Sequence, residues 1–156
     1  HMGRGYPVVA FNGSFDFTLL EEELRRHELP TLSERLGLSE PAPIIDPLVL
    51  DRHLDRYRKG KKQLSLMASA YGVPVSKNAH TAEYDVVMTL DVLAAIARKF
   101  PDCAAQSCTQ IHAFQKEAHA AWAENFENFL RSRGRETHID REWPQITPRG
   151  RSNDQE

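Results

Sequence analysis

Cysteine is scarce in this sequence: there are two among 156 residues, Cys103 and Cys108. One pair cannot make the disulfide framework of a small secreted domain, so a reducing, cytoplasmic setting is the expectation. Long hydrophobic runs are lacking too. None approaches the roughly 20 apolar residues of a membrane-spanning helix, and the mean hydropathy is -0.54. No secretory signal is read at the start, and no membrane partner is expected. Charge of one sign is also missing: 20 Lys and Arg face 22 Asp and Glu, a formal net charge of -2. That excludes a strongly basic nucleic-acid coat protein. It leaves room for an enzyme that grips nucleic acid through one local patch.

What is present is the composition of a soluble chain with a core: 40% apolar and 27% charged residues. Residues 7–12 (PVVAFN) read as a short buried strand ending in an Asn-Gly turn. Ser14 is placed to cap a helix running to about His27, with Phe15, Leu19, Leu20 and Leu24 at helical spacing. Prolines and glycines make residues 30–43 a loop. Residues 44–50 (IIDPLVL) read as a second strand, which Pro47 confines to an edge or to one-sided pairing. A basic loop follows from Arg52 to Lys62, then a short helix over Leu64–Tyr71. Thr81 caps a helix to Lys99 that has almost no polar face and needs cover on several sides. A last helix, roughly Asp102 to Arg133, carries the stripe Ile111, Phe114, Ala118, Trp122, Phe126 and Phe129, read as core. The polar tail beyond it is expected to be loose. Together these give an α/β chain with few strands, as though part of a larger sheet.

Three side chains invite a chemical reading. Asp16 follows the first strand, where open α/β sheets place ligands, although an acid there also complements the helix dipole. His80 and Asp85 face one site if His80 stays in the loop and Asp85 opens the helix. The alternative is a surface histidine and a capping acid. The basic run Arg52, Arg56, Arg58, Lys59, Lys61 and Lys62, with Tyr57 among them, suits either a phosphate backbone or plain solvent. Cys103, Cys108 and His112 fall short of the four ligands of a structural zinc site.

Taken together, N-G-S-F-D (Asn12–Asp16) and H-T-A-E-Y-D (His80–Asp85), each opening a helix, resemble two motifs of the DEDDh 3′–5′ exonucleases. These have the ribonuclease-H-like fold and include the proofreading epsilon subunits of bacterial DNA polymerase III. Asn12, Phe15 and Asp16 match N-x-x-F-D, and His80, Ala82 and Asp85 match H-x-A-x-x-D. The resemblance covers residues 7–100. It implies two Mg²⁺ or Mn²⁺ ions with Asp16 and Asp85 as metal ligands and His80 as general base. It also implies that Asn12, Phe15, Arg58, Lys61 and Lys62 contact substrate. The implied substrate is a single-stranded DNA 3′ end, or short RNA, and the implied partner is a polymerase subunit.

The family's first motif, Asp-x-Glu on a strand, has no counterpart upstream of Asp16. Asp140 and Glu142 lie in the tail, without a strand to position them. The chain is therefore read as the C-terminal part of an exonuclease domain. Residues 1–2 are expected to be vector-derived, 3–100 the partial domain, 101–134 a helix packed on it and 135–156 the tail. Whether such a chain is an enzyme is left open. The alternative is a non-catalytic module that binds nucleic acid or a polymerase partner. The unpaired first strand further predicts a homo-oligomer.

Overall fold

A computed structural model describes residues 1–75 and 81–145. After a 3-10 turn at Met2–Arg4, the order is β1 (Val8–Val9), α1 (Gly13–Arg26), α2 (Leu32–Leu36), β2 (Ile44–Ile45) and α3 (Pro47–Leu54). Then come α4 (Leu64–Ala70), α5 (Ala82–Lys99), α6 (Pro101–Ala104) and α7 (Cys108–Ser132). The strands pair in parallel, Val8 against Ile44 and Val9 against Ile45, so the chain is mixed α/β and mostly helical. No helix among the described residues is long and apolar enough to cross a membrane.

Successive strand residues point to opposite faces of a sheet, and this divides the core. Ile45 joins Leu48, Leu50, Met67, Met88, Val92 and Ile96 on one side, where α3, α4 and α5 meet. Ile44 joins Phe17, Val49, Ala118 and Trp143 on the other. Met67 and Val92 are fully buried, and truncating Met67 to alanine would cost about 2–5 kcal/mol.

Several expectations are corrected. Residues 44–50 are a two-residue strand followed by a helix. Asp46 accepts from Leu48 N–H as N-cap and Pro47 occupies the first helical turn, where its missing N–H costs nothing. The Arg52–Lys62 stretch accordingly begins inside α3. Ser14 does not cap α1. Asn12 holds the cap position in a left-handed conformation (φ 58°). The buried face of α1 is Gly13, Phe17 and Glu21, whereas Phe15, Leu19 and Leu20 are exposed. Residues 32–36 form a helix with a Thr31–Glu34 capping box inside the expected loop. The last helix is interrupted at 105–107, where Ser107 and Gln110 form a second capping box. Its stripe is core only as far as Ala118, because Phe126 and Phe129 are 38% and 50% exposed. The tail is not loose as far as it is described: Trp143 is buried against α7 and the sheet.

The two edges of the sheet differ. On β2, the Ile44 N–H donates to His112 Nδ1 (3.1 Å) and the Ile44 carbonyl accepts from Gln115 Nε2 (2.9 Å). The Asp46 N–H donates to Gln115 Oε1 (2.7 Å). Side chains of α7 thus stand where a neighbouring strand would. Because His112 Nδ1 is an acceptor, its proton sits on Nε2, which faces Glu40 at 3.2 Å. Among the described residues, β1 has no strand on its other side.

Candidate functional site

The site expected from the sequence lies at the carboxyl ends of β1 and β2, where the chain turns into α1 and α3. Asp46 organises it. Its Oδ1 accepts from the N–H groups of Asn12 (3.0 Å) and Leu48 (2.9 Å), and its Oδ2 from that of Gly13 (2.9 Å). One buried carboxylate therefore serves the amino ends of two helices, where orphan N–H groups and the helix dipole both favour negative charge. Burial nevertheless pushes the carboxyl up to about 6, against the pull of the three N–H donors and of Arg52. Space at Gly13 is tight: a Cβ there would lie 3.0 Å from Ala10 Cβ and 3.4 Å from the Phe17 ring, so those neighbours would have to give by a few tenths of an ångström. Asn12 tolerates the left-handed turn better than most residues. Two residues of N-G-S-F-D are thus fixed by the turn itself.

Phe15 and Asp16 are not. Phe15 is 65% exposed, and Asp16 points outward from the first turn of α1 with no salt bridge among the described residues. Asp85 sits half-buried in the first turn of α5, which Thr81 caps and which packs on α3, α4 and α6. The Asp85 carbonyl accepts from Thr89 Oγ1 at 2.7 Å. His80, the implied base, lies outside the described residues. As donors, Asp16 and Asp85 suit a hard divalent cation in kind. In number they fall short, since no group of three or more His, Cys, Asp or Glu side chains converges among the described residues.

The basic stretch divides in two. Asp51, fully buried, receives Arg58 through Nε (2.7 Å) and Nη2 (2.9 Å), Lys62 Nζ (2.6 Å) and the Tyr71 hydroxyl (3.0 Å). Burial alone would raise this carboxyl, but the bonds from Arg58, Lys62 and Tyr71 together hold it below the usual range. Arg58 and Lys62 therefore spend their charge on folding the loop. Arg56, Tyr57, Lys59 and Lys61 stay exposed, with the Arg56 guanidinium 5.0 Å over the Tyr57 ring. Sequence reasoning missed Asp51 as the anchor and Asp46 as the double cap. For Asp46 the signal was present, since Asp-Pro is a helix start.

With known proteins, no family model matches the chain, and no curated protein and no solved structure matches it. Function must be argued from this geometry and from the two motifs.

Proposed function

We propose that the chain carries the second and third motifs of a metal-dependent 3′–5′ exonuclease of the DEDDh type, with a ribonuclease-H-like arrangement of β1, α1 and β2. The observation that carries this reading is the exposure of Phe15 and Asp16 beside a turn that Asp46 holds through the N–H groups of Asn12 and Gly13. An aromatic ring and an unpaired carboxylate at the carboxyl ends of parallel strands contribute little to the fold, and they suit a ligand site. Asp16 and Asp85 would hold Mg²⁺ or Mn²⁺, which supplies charge neutralisation at the scissile phosphate and a more acidic water. Phe15 would stack on the terminal base, and Asn12 would orient it. His80 would take the proton of the attacking water. Lys61, outward-facing, would meet the phosphate backbone of a DNA, or RNA, 3′ end.

Two carboxylates leave most of the cation's coordination to water, so metal binding should be weak and turnover by this chain low. The test is Mn²⁺ titration followed by water-proton relaxation, together with mononucleotide release from a 3′-labelled single strand. Binding lost in Asp16→Asn supports the reading. Mn²⁺ binding that is indifferent to both Asp16→Asn and Asp85→Asn would end it. The shortage of a third ligand among the described residues favours one second reading, a non-catalytic module that binds nucleic acid or a polymerase partner. DNA 3′-end binding of equal strength with and without Mn²⁺, with no mononucleotide released, would select it.

The exposed apolar surface suits a second copy of the chain. β1 offers an open edge, and Phe15, Leu19, Val86, Val87 and Leu90 are exposed apolar side chains. Light scattering across a concentration series tests this. A 17.8 kDa monomer at high concentration would refute it.

A further inference from the structure

The outer half of α7 carries an aromatic ladder. Trp122 stacks on Phe126 (5.5 Å between centroids, 20° between planes), and Phe126 on Phe129 (6.3 Å, 12°). A guanidinium closes each end: Arg52 lies 3.8 Å over the Trp122 ring and Arg133 lies 5.3 Å over Phe129. The ladder forms one wall of a groove of about 570 Å³, and Arg52, His53 and Arg56 from α3 and the loop after it form the other. No acid lines that groove. Of the acids of this half of α7, Glu117 and Glu124 lie about 120° or more around the helix from each ring of the ladder, and Glu127, about 100° from Phe126, is engaged by Arg131 and by the Ile139 N–H. Exposed rings would ordinarily be buried or replaced on a surface helix. Here Phe126 and Phe129 are set nearly parallel and are 38% and 50% exposed, and of the cations beside them Arg52 is balanced by Asp46 and Asp51, whereas Arg56 and Arg133 face solvent.

We propose that this groove is a landing platform for single-stranded nucleic acid, with bases stacking on Phe126 and Phe129 and phosphates held by Arg52, Arg56 and Arg133. Stacking tolerates any base because every base has a π-face, so the platform is sequence-independent. A guanidinium lying over a ring keeps its N–H edge free for phosphate oxygens. The platform lies outside the motifs at the strand ends and does not depend on the nuclease reading.

The test uses the full chain in EDTA, so that metal-dependent binding elsewhere does not contribute. A dye-labelled dodecathymidylate is titrated by anisotropy, and tryptophan emission is followed with unlabelled strand. Trp143 is 3% exposed, so quenching reports Trp122 and persists in Trp143→Phe. The double substitution Phe126→Ala/Phe129→Ala removes exposed rings without touching the core and weakens binding roughly tenfold. An abasic deoxyribose-phosphate dodecamer binds the unaltered chain comparably weakly. Arg56→Gln and Arg133→Gln each weaken binding and flatten its salt dependence. The proposal is overturned if the strand does not bind, if the double variant binds as the unaltered chain does, or if the abasic strand binds equally well. It is also overturned if the unaltered chain is a dimer that the double substitution splits, since the occupant is then a second copy.

Discussion

The β2–α3–α7 side of the molecule and the β1–α1 side invert each other's chemistry. On the first, polar groups are buried and paired: His112, Gln115, Asp46 and Asp51 are each 5% exposed or less, and each makes at least two hydrogen bonds. On the second, apolar groups are exposed, with Phe15 at 65% and Leu19 at 51%. A buried polar group survives in a fold only if its partners are in place. An exposed apolar group costs the fold little and is free to serve something else. The buried pairs of the first side are thus where substitutions should cost stability, and the exposed apolar groups of the second are where they should cost interactions.

Gln115→Leu should break the sealed side most. It leaves the Ile44 carbonyl and the Asp46 N–H buried without partners, at about 1–3 kcal/mol each, so a loss of roughly 2–5 kcal/mol is expected. Urea denaturation measures it. A change below about 0.5 kcal/mol would mean that α7 merely lies against β2 and does not complete it.

Asp51→Ala should come next, at about 2–4 kcal/mol, because it strands Arg58 and Lys62 beside a hole. Their side chains are 11% and 25% exposed, so water recovers part of the loss. Acid tests the same carboxylate. Its pKa is lowered on folding, so its contribution is present above the unfolded value and is lost as pH falls through the folded one.

Asp46 sharpens the comparison because its sign is opposite. Its carboxyl is raised from 3.8 to about 6, so the folded state binds the extra proton. Its contribution is full below the unfolded value and is lost as pH rises through about 6. Asp46→Asn should remove that slope, changing the difference in stability between pH 4.5 and 7 by on the order of 1–2 kcal/mol. Parallel pH profiles for the two proteins would show that the three N–H donors and Arg52 already cancel the effect of burial.

How much of this was legible in the sequence depends on range. The α1 and α5 helices, the Thr81 cap and the α/β class follow from local pattern, and they stand. Asp46-Pro47 was legible too, but seven residues with five apolar side chains read as a strand once Pro47 was taken for an edge marker. Propensity loses there to a cap and a proline at the first turn. Gln115 meeting Ile44 spans 71 positions and leaves no local trace. Phe126 and Phe129 continue a helical stripe, and only the third dimension shows that this stripe leaves the core after Ala118. At the candidate site, Asn12–Asp16 was legible as a motif. What the structure adds is the division of labour within it: Gly13 is tied to space and Asn12 to the turn, while Phe15 and Asp16 are spare.

The smallest effect on stability is expected on the open side, and it separates the two halves of the comparison. Phe15→Ser removes a ring whose surface is already mostly in water, so unfolding should shift by no more than about 0.5 kcal/mol. Val86→Ser on α5 should be equally mild, since Val86 is 62% exposed and serine and valine have similar helix propensity. Phe15→Ser should weaken self-association measured by sedimentation, because a second copy on the β1 edge would bury the ring, and Val86→Ser reads whether that interface reaches α5. Phe15→Ser should in addition weaken Mn²⁺-dependent binding of a DNA 3′ end, which Val86→Ser should leave alone. If both variants destabilise the monomer by more than about 1 kcal/mol, these side chains hold the fold and the inversion fails. If neither alters association, the open edge is protected in some other way. If Phe15→Ser alone affects DNA binding, the ring belongs to the strand-end site, and the exposure of α1 reflects ligand recognition rather than a missing neighbour.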